Sequence, residues 1–461
     1  MKENKVIIIG AGPAGLFAAR SILECSSHAE VLILEQGMSI ENRECTARRD
    51  CFGCHKCSVI CGAGGAGMYS DGKLILDLSS GGNLEIIEKL DERNKGILCN
   101  YIKDTLIQYD GVSEYKGIPE ESEQNELKKQ IARYGLGMKL YPVLHMGTNN
   151  LKKIITNFLL DLVKTYPDRF RVLYGKEVRN IKKGGMGYIV EVQNEEGYHC
   201  RYVVIGVGKT GACWSKRVLE RLGCHFMRNP FYFGLRIETR TSVLNPLLRY
   251  SFDPKIYKMY DDGSKVKMHC VCREGDIRPY NSNGYLLVGG HTYYTKENHC
   301  EKKSDRCNFN ILMSFDPDKI SYQEILNAFK RISDRKVLVQ RLGDFRRNRV
   351  PENSDKELTA NIMSQVCNIR EIVDGFQEFP EKLLDFIQAL DFICPGLNDD
   401  NNLLYGPTME WTMDKIELKD GLETEADNIF AIGDGAGVSQ GIVYSAATGI
   451  IAAKEISKRI E

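Results

Sequence analysis

Apolar positions along the chain follow two periods, one of strands and one of helices. Residues 6–9 are an unbroken V-I-I-I run, suited to a strand buried on both faces. Residues 16–23 carry apolar side chains at three- and four-residue spacing, and 31–34 return to a continuous V-L-I-L run. Strand, helix, strand is the reading. The helical period recurs over 84–109, 126–134 and 151–165, with Thr148 or Asn149 able to cap the last. Strand-like runs follow at 171–174, 177–181, 188–192 and 202–207, with Gly184-Gly185 as a turn. Between 224 and 390 strands (232–237, 285–288) mix with later helices, and the chain closes on a strand at 428–432 and a helix from about 441 to 459. No internal repeat or low-complexity tract interrupts this order.

Glycines give the first strand a chemistry. Gly10, Gly12 and Gly15 stand in G-x-G-x-x-G spacing between strand and helix, with Pro13 and Ala14 inside the turn. The first glycine permits the sharp turn, the second the approach of a diphosphate, the third close helix–strand packing. The second strand ends in Glu35, followed by Gln36, at the distance where the fingerprint wants a carboxylate for ribose hydroxyls. Near the other end, 424–437 read T-E-A-D-N-I-F-A-I-G-D-G-A-G, a strand running into a glycine turn with Gly433 and Asp434 just past it. In two-domain flavoproteins such a stretch puts its Asp on the ribityl chain, and the next helix, here from Gly441-Ile442, aims its N-terminus at the flavin's pyrimidine end. FAD is therefore favoured over NAD. The plainer alternative is a strand–turn–helix closing a sheet. A further G-x-G-x-x-G at Gly206, Gly208 and Gly211 suits either a nicotinamide site or a crossover between domains. No strand ending in an acid follows it, which favours the crossover; NAD(P)H stays open as a donor.

The expected architecture is α/β: a Rossmann-like FAD-binding domain with an interrupting α+β substrate domain. We expect 1–223 to form the first part, including a cysteine-rich segment at 45–61 and a helical insertion at 84–135. The cap would span 224–400, and 401–461 would return to the FAD domain. Lys plus Arg and Asp plus Glu both total 62, so the net charge is zero and favours neither nucleic acid nor an anionic membrane as partner. No apolar run reaches the ~18–20 residues of a membrane span. A cytoplasmic location is the expectation, with the oligomeric state open.

Sixteen cysteines in a reducing compartment point to metal ligation or reactive thiols rather than disulfides. Cys51, Cys54, Cys57 and Cys61 are spaced C-x-x-C-x-x-C-x-x-x-C, with Cys45 six positions earlier. Bacterial ferredoxins wrap a [4Fe–4S] cluster with this spacing, although Gly62 stands here where proline would follow. Zinc, redox-active thiols and a c-type haem attachment at Cys51–His55 are the alternatives. Cys270 and Cys272, with His269, form a smaller group on a strand, where a buried inert pair is the plainer reading. His145, His291 and Tyr444 are the candidate proton donors or acceptors, each equally readable as a packing or loop residue.

These motifs resemble the flavoprotein family known as NAD(FAD)-utilising dehydrogenases. The resemblance runs end to end: the Gly10–Gly15 turn, G-G-A-G-M-Y-S-D-G-K-L at 64–74, H-M-G-T at 145–148, V-I-G-V-G-K-T-G at 204–211, F-G-L-R-I-E at 233–238, C-N-F-N-I-L at 307–312, L-L-Y-G-P at 403–407 and G-D-G-A-G-V-S-Q-G-I at 433–442. It implies a glutathione-reductase-like fold, with Gly65, Ala66 and Lys73 near the flavin and His145 lining the pocket. Val178-Arg179 and Gly206 complete the cofactor-binding candidates. The chain departs from the family pattern at 346–354 and at Gly290-His291-Thr292, both in the presumed substrate domain, so the substrate is not carried over. The implied activity is hydride transfer between flavin N5 and a small organic molecule, with electrons relayed through the cluster, an electron-transfer partner or NAD(P)H. A redox sensor or carrier without turnover, and a flavin monooxygenase, are the rival readings.

Overall fold

The computed structural model describes residues 5–45, 51–69, 72–109, 114–292, 305–350 and 362–460. Ser70, Asp71 and residues 351–354 of the departing segment lie outside these.

The β-branched runs form a five-stranded sheet from Lys5–Ile9, Glu30–Glu35, Phe170–Tyr174, Tyr202–Ile205 and Ile429–Ala431. All four pairings are parallel. Numbered in chain order, the strands lie 3-2-1-4-5, the doubly wound order of dinucleotide-binding folds. Helices Pro13–Cys25 and Ile442–Ile460 join the two ends of the chain: a Cβ at Gly449 would fall 2.1 Å from the Ala14 carbonyl oxygen. Only glycine allows that crossing. A small antiparallel sheet, Val178–Gly184, Gly187–Val192 and Tyr198–Cys200, fills the passage between the third and fourth parallel strands.

A second, eight-stranded sheet has at its centre Leu403–Glu410, Phe231–Arg240, Arg306–Phe315 and Lys265–Cys272. Strand alternation splits it into unlike faces. Phe231, Phe233, Leu235 and Ile237 point into a core beneath helices Tyr322–Ile332 and Phe379–Asp391, where Phe233 meets Phe315, Phe329, Phe376 and Phe379. The opposite face carries Tyr232, Arg236, Glu238, Lys267, His269, Asn310 and Glu410.

Two segments sit elsewhere than the expected boundaries put them. Within 84–135, helix Glu92–Ile107 packs in the first core through Ile102 and Leu106, whereas Glu121–Ala132 packs in the second through Leu127 and Ile131. Strand Leu403–Glu410 belongs to the eight-stranded sheet, not the parallel one. Periodicity marks an apolar face but not the partner that covers it. Among the described residues no helix is long and apolar enough to cross a membrane.

Candidate functional site

The doubly wound order places a crevice at the carboxyl ends of the first and fourth strands. Gly10 leaves the first strand at φ +109°, and a Cβ there would lie 2.5 Å from the Gly206 carbonyl oxygen. At Gly15 a Cβ would lie 2.1 Å from Gly10 O. Gly12 differs: its Cβ would meet only Gly65 Cα, at 3.8 Å, so open space lies in front of it. The helix that begins there has Pro13 in its first turn and no side-chain cap. Its first N–H groups therefore face that space with the positive end of the dipole behind them.

Three other glycine turns close around this one. The Gly64 N–H donates to Ala11 O (2.8 Å), and a Cβ on Gly65 would lie 3.1 Å from Pro13 Cδ. The Gly435 N–H donates to Val207 O (2.9 Å), and a Cβ on Gly433 would lie 3.0 Å from Ala14 Cβ. Ile442 rests on Gly67, which sets the start of the terminal helix beside Ala66. Asp434 accepts hydrogen bonds through Oδ1 from Ser445 (2.8 Å) and Ser439 (3.1 Å). Gly206 thus serves the same crevice as Gly10. The second G-x-G-x-x-G belongs to the fourth strand's exit and to the helix Ala212–Arg221 after it, as a crossover would.

Glu35 is buried, its Oε2 accepting the Ala11 N–H (2.9 Å) and its Oε1 the Gly37 N–H (2.8 Å). Each oxygen keeps a further lone pair for a ribose hydroxyl. Beside it, the Gln36 carbonyl accepts from Lys56, which also pairs with Glu177 (3.0 Å) just before Val178 and Arg179.

Arg43 is a residue the sequence patterns passed over. Its guanidinium is fully buried and donates to the carbonyls of Ser58 (2.7 Å), Val59 (3.0 Å), Gly62 (3.3 Å), Ala63 (2.8 Å) and Gly65 (2.7 Å). Burial works to lower its pKa, opposed by Glu35 and Tyr69. One side chain thereby shapes the whole loop that leans on the Gly10–Gly15 turn.

Across the crevice stands the polar face of the eight-stranded sheet. His269 Nδ1 lies 2.9 Å from Glu410 Oε1, and the Lys267 ammonium lies 3.6 Å from the centre of the Tyr232 ring. Lys209, two residues past the Val207 turn, is within electrostatic reach of Glu410, Tyr280 and Asp434 and so links both halves. Burial lowers His269 to about 4, leaving a neutral imidazole, and brings Lys267 down to about 8 against the pull of Glu410. Burial opposes ionisation of Glu410, but His269, Lys267 and Lys209 outweigh it and hold the carboxyl below its usual range. Nearby, Asp253 receives Lys255 (2.6 Å), Tyr141 Oη (3.0 Å) and Lys73 (3.4 Å). Lys73 also donates to Val271 O and so ties the loop after Ala66 to the second sheet. The strand readings at 232–237 and around His269 were the signals of this face in the sequence; the pairing of Glu410 with Tyr232 had none.

The candidate proton carriers fare differently. Tyr444 lies in the core, its ring against Gly82 and its hydroxyl accepting the Leu84 N–H (3.0 Å), a packing arrangement. His291 is buried with Nδ1 2.9 Å from Tyr69 O. His145 pairs in register with Lys73, its ring 5.8 Å from that of Phe252.

The cysteine segment does not fit the expected cluster. Among the described residues, no group of three or more His, Cys, Asp or Glu side chains is placed to hold a metal ion. Cys54 is exposed, Cys45 and Cys51 half-buried, Cys57 and Cys61 buried. The Cys61 N–H closes a helical turn on Cys57 O (2.8 Å) and Arg43 draws the following loop inward; Cys51 lies within electrostatic reach of Cys45, Cys54 and Cys57 without completing a metal-holding group among the described residues. Burial, with the nearby Glu35, pushes the Cys61 thiol up to about 12. The described residues thus form no site for [4Fe–4S] or Zn.

No family model matches the chain. An uncharacterized protein of Clostridium beijerinckii is 22% identical over 492 residues, covering 100% of this chain and 82% of that one. Among solved structures, glycine oxidase from Geobacillus kaustophilus aligns with TM-score 0.41 and 12% identity, over 99% of this chain and 96% of its own. A p-nitrophenol 4-monooxygenase from Pseudomonas putida aligns with TM-score 0.41 and 10% identity, over 100% and 80%. A flavoprotein/dehydrogenase from Cytophaga hutchinsonii aligns with TM-score 0.40 and 12% identity, over 99% and 78%.

Proposed function

We propose that the protein is an FAD-dependent oxidoreductase acting on an organic substrate between the glycine crevice and the polar sheet face. One observation carries this reading: the open space at Gly12, before an uncapped helix start, is enclosed by the Gly65, Gly206 and Gly433 turns. The first-turn N–H groups would hold the diphosphate, Glu35 the adenosine ribose, Asp434 the ribityl chain, and the Gly441-Ile442 helix start the pyrimidine edge. FAD bound there supplies hydride exchange at N5 of its isoalloxazine ring. Lys73 and Tyr280 shape the substrate side, and Arg43 fixes the loop between. His269, neutral at pH 7, is placed to take a proton, and the Glu410 carboxylate beside it stabilises the imidazolium so formed. NAD(P)H as donor of the electrons belongs to the same reading.

Absorbance of the purified protein and flavin extraction test it. About one FAD per chain is expected, lost in Gly12→Val, whose side chain fills the open space. Protein that is colourless and takes up no added FAD refutes it. Anaerobic mixing with NADH and NADPH tests the donor.

A further inference from the structure

The polar sheet face carries more positive than negative charge where the two halves meet. Around Glu410 the ammonium groups of Lys73, Lys209, Lys255, Lys265 and Lys267 stand with the carboxylates of Asp253, Glu410 and Asp434, while Arg236 and Glu238 further along the face add one charge of each sign. Asp253 is committed to Lys255 and Lys73. Asp434 is committed at Oδ1 to two serine hydroxyls. Glu410 alone answers both Lys209 and Lys267, yet neither ammonium forms an ion pair with it, and its buried Oε2 has no hydrogen-bond partner among the described residues. Lys267 rests instead on the face of Tyr232. Ammonium donors held apart from their counter-ion, inside a crevice, fit a ligand that brings its own negative charge.

We infer that this face binds a carboxylate-bearing substrate, an organic acid whose carboxylate bridges Lys209 and Lys267 beside Glu410. The inference rests on the flavoenzyme reading for its location. Lys209 comes from the loop after the fourth parallel strand and Lys267 from the second sheet, so the acid is gripped from both halves. Tyr280, within reach of Lys209, supplies a hydroxyl to the same end. Glu410 keeps the two lysines charged and limits the net attraction to a single anionic group.

The test is calorimetric titration of the flavin-loaded protein with acetate, benzoate and succinate, against acetamide and benzamide. Flavin content is measured separately by absorbance, so a colourless protein refutes the flavoenzyme reading whereas a yellow one that ignores carboxylates refutes this one. Saturable binding of at least one carboxylate is expected, tenfold or more tighter than its amide. Lys209→Met and Lys267→Met should each weaken it tenfold or more at unchanged flavin content, with Lys267→Arg recovering most of the affinity. Amides binding as well as acids, or both methionine variants binding like the parent, overturns the inference. So does saturable binding of methylamine abolished by Glu410→Gln, which would assign the face to a cation. The comparison of acid with amide needs no variant and stands even if a substituted protein fails to fold.

Discussion

Replacing Arg43 by Met removes a buried guanidinium and keeps much of its aliphatic volume. Five carbonyls lose a donor. Those of Ser58 and Gly65 belong to half-buried residues and can turn to water, whereas Val59, Gly62 and Ala63 are buried. A buried acceptor left unpaired costs about 1–3 kcal/mol. At about 1.5 kcal/mol apiece, three cost about 4–5 kcal/mol, which makes opening of the 58–65 loop about a thousandfold more frequent. The amides to watch are Ala63, bonded to Met38 O (3.1 Å), Gly64, bonded to Ala11 O (2.8 Å), and Gly65, bonded to Gly62 O (3.0 Å). Hydrogen exchange at these three should accelerate by two to three orders of magnitude, while amides of the Phe231–Arg240 strand, in the other core, stay within a few-fold. Flavin should wash out of the variant on dialysis, since the loop leans on Gly12 and Pro13. Arg43→Lys, with three donors for five acceptors, should fall between. Exchange within threefold of the parent together with full flavin retention in Arg43→Met would show that the guanidinium is not what holds the loop.

Further expectations follow from the same contacts. Gly15→Ala places a methyl 2.1 Å from Gly10 O and should cost at least tenfold in FAD affinity, measured by fluorescence titration of apoprotein. Tyr444→Phe leaves only the Leu84 N–H without its acceptor; stability should drop by about 1–2 kcal/mol in denaturant melts with little change in turnover, and a large loss of turnover at full stability would return Tyr444 to the chemistry. Asp253, opposed by burial but held below its ordinary range by Lys255, Lys73 and His269, contributes stability that is present above the unfolded carboxylate pKa of about 3.9 and is lost as pH falls below it. Asp253→Asn should therefore be destabilised at pH 7 by about 3–5 kcal/mol, with a flatter acid limb than the parent. Carboxylate affinity should decline above about pH 8 as Lys267 gives up its proton, with Glu410 opposing that loss and Lys255, Lys265 and Lys209 promoting it; an unchanged affinity at pH 9.5 would remove Lys267 from the anion site.

Much of the nucleotide half is legible in residue order alone. An unbroken β-branched run, glycines at fixed offsets and an acid at the next strand's end act within about 30 residues, because backbone freedom and strand burial are local requirements. The same holds for the alternation that gives Phe231–Arg240 one apolar and one polar face. What period and spacing leave undetermined is which distant faces meet. Glu410 reaches Tyr232 only because strand pairing sets its register, and Lys209 comes within electrostatic reach of Glu410 only because the two sheets are apposed. The cysteine spacing was the most suggestive local pattern, yet no metal-holding group forms from it among the described residues, and a buried arginine five carbonyls deep, with no signature of its own, shapes the loop that follows. Local chemistry is written in neighbouring residues, whereas a site built from strands hundreds of positions apart exists only once burial has chosen their partners.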